Sequence, residues 1–183
     1  RIIIFDTELT AWLGSLKCNW SRPGEYREIV QIGAILVDTK EFCEIGSINL
    51  LVKPVRNPLL SGYFSDLTGI SQQDIDENGI SYEKAILKFF SWCGDNPIYS
   101  YGGDEINLIE NCELVGVPFP FRKSEFHDIK DLFKSNGIPA DSYYSGNIMK
   151  AFGKKSALRG HDALNDSRII LEGLRELSFR KRA

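Results

Sequence analysis

Short β-branched and aromatic runs crowd the start of the chain, and helical spacing takes over after Leu59; no other feature narrows the possible folds as much. Arg1 to Phe5, Glu28 to Val37 and Ile45 to Val52 read as three strands, and their succession predicts an antiparallel meander. The link from Ala11 to Tyr26 holds Gly14, Asn19, Ser21, Pro23 and Gly24, the composition of a surface loop, and Pro54 and Pro58 close the third strand. Ser81 then caps a predicted helix that runs to Cys93 with apolar residues at helical spacing. Ile98 to Tyr101 reads as another strand, and Asp104 to Val115 as a helix stopped by Gly116 and Pro118. An apolar stretch from Phe126 to Ile129 leads into a helix ending at Asn136, and a last long helix covers His161 to Leu177, with Ile169, Ile170, Leu174 and Leu177 on one face. Strands first, then strands alternating with helices, predict an α/β fold: a mixed β-sheet flanked by α-helices. No repeat or linker divides residues 1–183, so a single domain is expected.

Composition excludes several classes. At 43% hydrophobic and 26% charged residues, the chain falls in the globular range rather than the disordered or fibrous one. Its longest apolar runs, Ile2 to Phe5 and Ile48 to Val52, are far shorter than the roughly 20 residues of a membrane span. The opening segment meets a charge at Asp6 and lacks the pattern of a signal peptide. Cys18, Cys43, Cys93 and Cys112 are scattered without metal-site spacing, so reduced thiols and a cytoplasmic location are expected. The formal net charge of -3 argues against a protein that coats duplex DNA with a broad basic face. Nucleic acid is not excluded, because divalent cations held by acidic side chains would bring positive charge to the surface that meets phosphate. Arg180-Lys181-Arg182 reads as a solvated end, with a phosphate-contacting tail as the alternative.

Three segments carry chemistry. Asp6-Thr7-Glu8 follows directly on the first strand, where residues two apart project from the same face, so two carboxylates converge and repel unless a hard cation sits between them. Acidic residues are also common where strands meet solvent, and the triplet needs partners. Asp104 is one candidate, at the point where a strand gives way through Gly102-Gly103 to a helix; helix capping would place an Asp there equally well. His161-Asp-Ala-Leu-Asn-Asp166 is the third. Its His titrates near neutrality and suits a general base, its Asp suits a metal, and a pair of helix-start caps is an equal reading of this segment alone.

Taken together and in order, Asp6, Glu8, Asp104, His161 and Asp166 resemble the DEDDh exonucleases of the DnaQ-like, ribonuclease H-like superfamily. Their motifs are a strand with D-x-E, a helix-opening Asp, and H-x-A-x-x-D. The similarity extends to Glu28-Ile-Val-Gln-Ile-Gly-Ala34 and to Leu67-Thr-Gly-Ile70, and within the family the chain looks most like the ERI-1-like 3′ exonucleases. The resemblance implies a ribonuclease H-like sheet and 3′–5′ exonuclease activity that releases nucleoside 5′-monophosphates. It implies two Mg²⁺ or Mn²⁺ ions held by Asp6, Glu8, Asp104 and Asp166, with His161 taking a proton from the attacking water. The implied partner is a nucleic acid with a free 3′ end, RNA slightly preferred over DNA. Thr7, Leu9 and Trp12 would contact the terminal nucleotide, and Tyr63 or Phe64 would stack on its base, although composition alone favours core packing for Phe64. Where some relatives carry an aromatic before the second-motif Asp, this chain has Gly102-Gly103, which argues against two-sided stacking.

Three other readings are weighed with this one: a DNA-directed enzyme of proofreading or repair type, a non-catalytic regulatory module on the same fold, and a metal-dependent phosphatase on an unrelated α/β fold. Glu105 is expected to face solvent, His127 to be a structural His in an apolar stretch, and Asp162 and Asn165 to have no catalytic part. Lys154, Lys155 and Arg159 are either phosphate contacts or members of a solvated loop.

Overall fold

The computed structural model describes residues 1–182, with side chains described through residue 180. Five strands, β1 (Ile2–Leu9), β2 (Ile29–Asp38), β3 (Cys43–Leu51), β4 (Ile98–Ser100) and β5 (Phe126–Asp128), form one sheet in the order β3-β2-β1-β4-β5. The first three pair antiparallel, as the meander predicted, and β1, β4 and β5 pair parallel, so the sheet is mixed. Its helices are α1 (Ser15–Cys18), α2 (Gly62–Thr68), α3 (Gln72–Asn78), α4 (Tyr82–Cys93), α5 (Glu105–Val115), α6 (Ile129–Ser135) and α7 (Ala163–Arg182), with a 3-10 segment Ser145–Phe152 before α7. No helix among the described residues is long and apolar enough to cross a membrane.

Strand alternation divides the core. Ile3 and Phe5 point into a cluster with Ile32, Phe89 and Leu108, under α4 and α5. Ile4 points the other way, into a cluster with Ile35, Ile169, Ile170 and Leu174 that seats α7 on the sheet. Ile169, Ile170, Leu171 and Leu174 are all buried, worth roughly 1.5–3 kcal/mol each, so packing fixes where α7 lies. By the same alternation Asp6 and Glu8 face α7, and Thr7 faces α5.

Two boundaries differ from the sequence expectation. β1 runs on through Asp6-Thr7-Glu8 to Leu9, because β2 supplies ladder partners along its whole length: Asp6 lies opposite Gly33 and Glu8 opposite Gln31. Polar side chains do not end a strand whose backbone groups remain paired. The last helix begins at Ala163, not at His161, because His161 has φ 61°, a left-handed backbone that cannot enter a right-handed helix. Asp162 caps the helix instead, its Oδ1 accepting from the Asn165 N–H at 2.9 Å. His127 is also corrected. It stands exposed on β5, its ring 4.9 Å from that of Tyr99, because β5 is the outer strand of the sheet.

Gly33 sets the distance between α7 and the sheet. A Cβ there would lie 2.1 Å from the Leu164 nitrogen and 2.3 Å from the Ala163 carbonyl carbon, so only glycine permits this approach. At the far end of α7, the Arg180 guanidinium lies over the Phe152 ring, and the side chains of Lys181 and Arg182 fall outside the described residues.

Candidate active site

Asp6, Glu8 and Asp166 converge where β1 meets the first turn of α7. All three are buried, and each offers a carboxylate oxygen within 4.8 Å of the others. The approach depends on β2. Gln31, opposite Glu8, donates from Nε2 to Asp162 Oδ2 at 3.1 Å and accepts from the Ala163 N–H at 2.9 Å, tying the start of α7 to the sheet. Ser167 Oγ donates to the Gly33 carbonyl at 3.0 Å. The Asp166 N–H donates to the Asp162 carbonyl at 2.8 Å, which holds Asp166 in the opening turn.

Asp104 approaches from the other side of β1 and stands outside this triad. It precedes α5 at the N-cap position, yet its side chain makes no capping hydrogen bond. Its Oδ1 accepts instead from Thr7 Oγ1 at 2.9 Å and from Asn107 Nδ2 at 3.0 Å, while its own N–H donates to Ser100 Oγ at 3.2 Å. The capping explanation for this Asp therefore fails. Gly102 and Gly103 both take φ near 95°, which lets the chain leave β4 and turn the carboxylate back toward β1.

The electrostatics of the four carboxylates are those of a site short of positive charge. Burial pushes Asp6 well above the usual carboxylate range, with further upward pushes from Asp104, Asp166 and Glu8. Glu8 is likewise raised, by burial and then by Asp166 and Asp104. Burial raises Asp104 to about 7, against the lowering hydrogen bonds from Thr7 and Asn107. Asp166 rises to about 6 by burial, opposed by the Ser145 hydroxyl, which donates to its Oδ2 at 3.2 Å. Asp166 Oδ1 is buried with no hydrogen-bond partner. An orphaned carboxylate oxygen amid mutually repelling carboxylates, all of them hard oxygen donors, fits a divalent cation.

His161 lies five residues before Asp166 and is exposed, although its imidazole is partly shielded from water. Burial first, and the Arg159 guanidinium second, hold its imidazole below the ordinary histidine range, which favours the neutral form. Two of the three basic residues before it are engaged: Lys154 pairs with Glu176 at 2.7 Å, and Arg159 donates to the Asp66 and Leu67 carbonyls at 2.9 and 3.2 Å.

The residues expected to meet the terminal nucleotide divide. Tyr63 is exposed on α2, and Trp12 is half-buried in the loop after β1, with its N–H donating to Ser15 Oγ. Leu9 is half-buried and packs against the core under α4. Phe64 is corrected: its ring is buried with Val30, Ile70 and Ile75, since α2 turns this side chain inward and Tyr63 outward. Thr7 is corrected in part, because its hydroxyl is spent on Asp104 and its side chain faces away from Asp6 and Glu8. Glu105, expected in solvent, is partly buried, 3.5 Å from the Ser100 hydroxyl. The sequence reading passed over Gln31, Asn107 and Ser145. Gln31 and Asn107 lie in segments already read as strand and helix, where side-chain partners emerge only once the elements pack.

The Exonuclease (RNase T) family model matches residues 3–174. Among known relatives, "3'-5' exonuclease Snipper" of Drosophila melanogaster is 31% identical over 91 residues, which are 50% of this chain and 31% of that protein. Human "ERI1 exoribonuclease 2" is 29% identical over 191 aligned residues, 91% of this chain and 27% of that protein. The chain thus spans about a third or less of these relatives' length. Among solved structures, the nuclease domain of 3'hExo, described as a DEDDh family member bound to rAMP, superposes with TM-score 0.77 at 22% identity, covering 96% of this chain and 92% of that one. E. coli ExoI in complex with ssDNA superposes with TM-score 0.71 at 17% identity, covering 99% of this chain and 41% of that one. These likenesses confirm the ribonuclease H-like arrangement of the sheet. The chain belongs to the exonuclease family, and it is similar in sequence to an ERI1 exoribonuclease and in fold to a DEDDh nuclease domain.

Proposed function

We propose that this chain hydrolyses the terminal phosphodiester at a nucleic-acid 3′ end and releases a nucleoside 5′-monophosphate, acting on RNA somewhat better than on DNA. The observation that supports it most is the buried triad of Asp6, Glu8 and Asp166 with its unpartnered Asp166 oxygen. Asp6, Glu8 and Asp166, joined by Asp104 from across β1, would hold two divalent cations, Mg²⁺ or Mn²⁺. When bound, such ions neutralise phosphate charge and make water acidic enough to attack at neutral pH. His161, exposed and favouring its neutral form, would accept the proton of the attacking water on an imidazole nitrogen. The water oxygen bonds to phosphorus as the P–O3′ bond breaks, and the departing 3′ oxygen ends as a hydroxyl. Asn107 and Thr7 keep Asp104 turned toward the site, and the Ser145 hydroxyl orients Asp166. Trp12 and Tyr63 would offer ring surfaces to the terminal base, a contact that reads ring faces rather than sequence.

Preference for RNA draws on the relatives: an exoribonuclease among the sequences, and among the structures a nuclease bound to rAMP and a 3'-exonuclease that recognises a histone mRNA stem-loop. The ssDNA complex of E. coli ExoI represents the other polymer on the same fold. Digestion of matched 5′-labelled RNA and DNA strands, with Mg²⁺ or with EDTA, tests the proposal. A ladder shortening from the 3′ end, faster on RNA, abolished by EDTA and lost in Asp6→Asn, is expected. Intact substrate with both metals, or unchanged digestion by Asp6→Asn, would refute it.

A further inference from the structure

His161 is held where no regular element supports it. It sits in a left-handed conformation between the 3-10 segment Ser145–Phe152 and α7, preceded by the exposed run Gly153-Lys154-Lys155. The approach to His161 is anchored by Leu158, which packs against the core around α7. Arg159 and Asp162, which flank Gly160-His161 in the chain, line an open cleft of about 290 Å³ together with Gln31, Thr68 and Gly69. Across that cleft one side chain makes a bridge. Arg159 NH2 donates to the carbonyls of Asp66 and Leu67, at 2.9 and 3.2 Å, in the last turn of α2. A cation suits that place, because the final carbonyls of a helix lack intrahelical partners and carry partial negative charge.

Gly69 completes the contact. It ends α2 at φ 83°, and a Cβ on it would lie 2.5 Å from Arg159 NH1, so the guanidinium lies against bare backbone. The Leu67-Thr-Gly-Ile70 segment and the His161 motif, distant in sequence, therefore meet at this one side chain.

We infer that Arg159 is a positioning residue: by latching onto the end of α2 it holds the His161 loop in the conformation that presents the imidazole to the carboxylate site. The inference rests on the reading of His161 as general base. It is distinct from a direct contact of Arg159 with substrate phosphate: the NH2 group already donates to two carbonyls, and a phosphate contact would act on KM rather than on kcat.

The test compares Arg159→Ala, Arg159→Lys, His161→Ala and the double variant Arg159→Ala/His161→Ala on a 5′-labelled oligonucleotide, alongside hydrogen exchange of the metal-free proteins. Arg159 is exposed, so these variants should fold. Arg159→Ala should lower kcat about tenfold with KM little changed, as expected for a misplaced catalytic group. Arg159→Lys, which still donates to carbonyls, should recover most of that loss. In the His161→Ala background Arg159→Ala should cost nothing more, because a latch without its cargo has no effect. Amide exchange at residues 157–161 should quicken at least tenfold in Arg159→Ala, whatever the activity. A raised KM with unchanged kcat, or losses that multiply in the double variant, would assign Arg159 to the substrate and overturn the latch, as would unchanged exchange. Full activity in His161→Ala would instead remove the base reading, while the exchange result still decides whether the latch exists.

Discussion

Replacing Gly33 by Ala should separate the two halves of the site. The added Cβ would meet three backbone atoms, the Leu164 nitrogen at 2.1 Å, the Ala163 carbonyl carbon at 2.3 Å and the Leu164 Cα at 2.6 Å, so no side-chain rotamer can relieve it. Ordinary contact begins at 3.4 Å, and 3.4 minus 2.1 leaves 1.3 Å by which α7 must lift from β2. Overpacking of this kind costs roughly 1–3 kcal/mol. The lift also stretches the bonds from the Ala163 N–H to Gln31 and from Ser167 Oγ to the Gly33 carbonyl, 2.9 and 3.0 Å in the native contact. Each is worth about 1 kcal/mol, so the total is roughly 3–5 kcal/mol. At about 2–4 °C per kcal/mol for a chain of this size, Tm should fall by roughly 6–20 °C. Asp166 moves with the helix, and a misplacement of about 1 Å costs on the order of 100-fold in kcat. Gly46→Ala is the control: a Cβ there meets only the Leu36 Cβ at 3.8 Å, ordinary contact, and should leave stability and rate alone. Thermal denaturation and steady-state digestion of both variants decide the matter. A Gly33→Ala protein with native Tm and native kcat would refute the claim that this glycine sets the reach of Asp166.

Three further outcomes follow from the carboxylate cluster. Mg²⁺ or Mn²⁺ at about 100 times its Kd should stabilise the fold by about 2.7 kcal/mol, roughly 5–10 °C in a melting curve; Asp166→Asn should lose that shift while melting no lower than wild type in EDTA, since it removes a repelling charge. Without metal, the carboxylates at Asp104 and Asp166 titrate at about 7 and about 6, above their ordinary value of 3.8, so between pH 4 and 7 the folded state binds more protons than the unfolded one. Stability in EDTA should therefore be greatest at the acid end of that window and fall as pH rises through it, and a Tm that climbs from pH 5 to 7 would contradict the assigned burial. Asn107→Ala removes hydrogen bonds to both Thr7 Oγ1 and Asp104 Oδ1; it should cost about 1 kcal/mol in chemical denaturation and about tenfold in kcat, with KM nearly unchanged.

How much of this was legible in the sequence depended on whether the cause was local. The meander β1-β2-β3, the Ser81 cap and the apolar face of α7 follow from periodicity and capping, which neighbouring residues determine. The extension of β1 through Asp6-Thr7-Glu8 was not legible, because it depends on β2 lying alongside. The burial of Phe64 was legible only as the role composition favours, since Tyr63 and Phe64 are adjacent aromatics and the packing of α2 on Val30 and Ile75 is what separates them. The start of α7 slipped by two residues because Gly160-His161 looks like a helix entrance, whereas His161 takes a left-handed turn that no local signal announces. Ser145, in a 3-10 segment without periodic pattern, came to light only through its bond to Asp166.

Asp6, Glu8 and Asp166 were singled out by the order of the motifs, yet what brings these three together is carried by residues outside the motifs. β1 and α7 are separated by most of the chain, and it is β2 that joins them: Gly33 admits the helix, and Gln31 fixes its first turn. This gives a physical reason for the Glu28-Ile-Val-Gln-Ile-Gly-Ala34 segment to accompany the D-x-E motif in a site of this kind. A substitution at Gln31 or Gly33 should therefore behave as a loss of Asp166 placement rather than as a loss of sheet. Gly69 stands in the same relation to His161, through Arg159. In both cases a glycine accepts close approach from the segment that carries the third motif, so the site tolerates change at its rim more readily than at these two contacts.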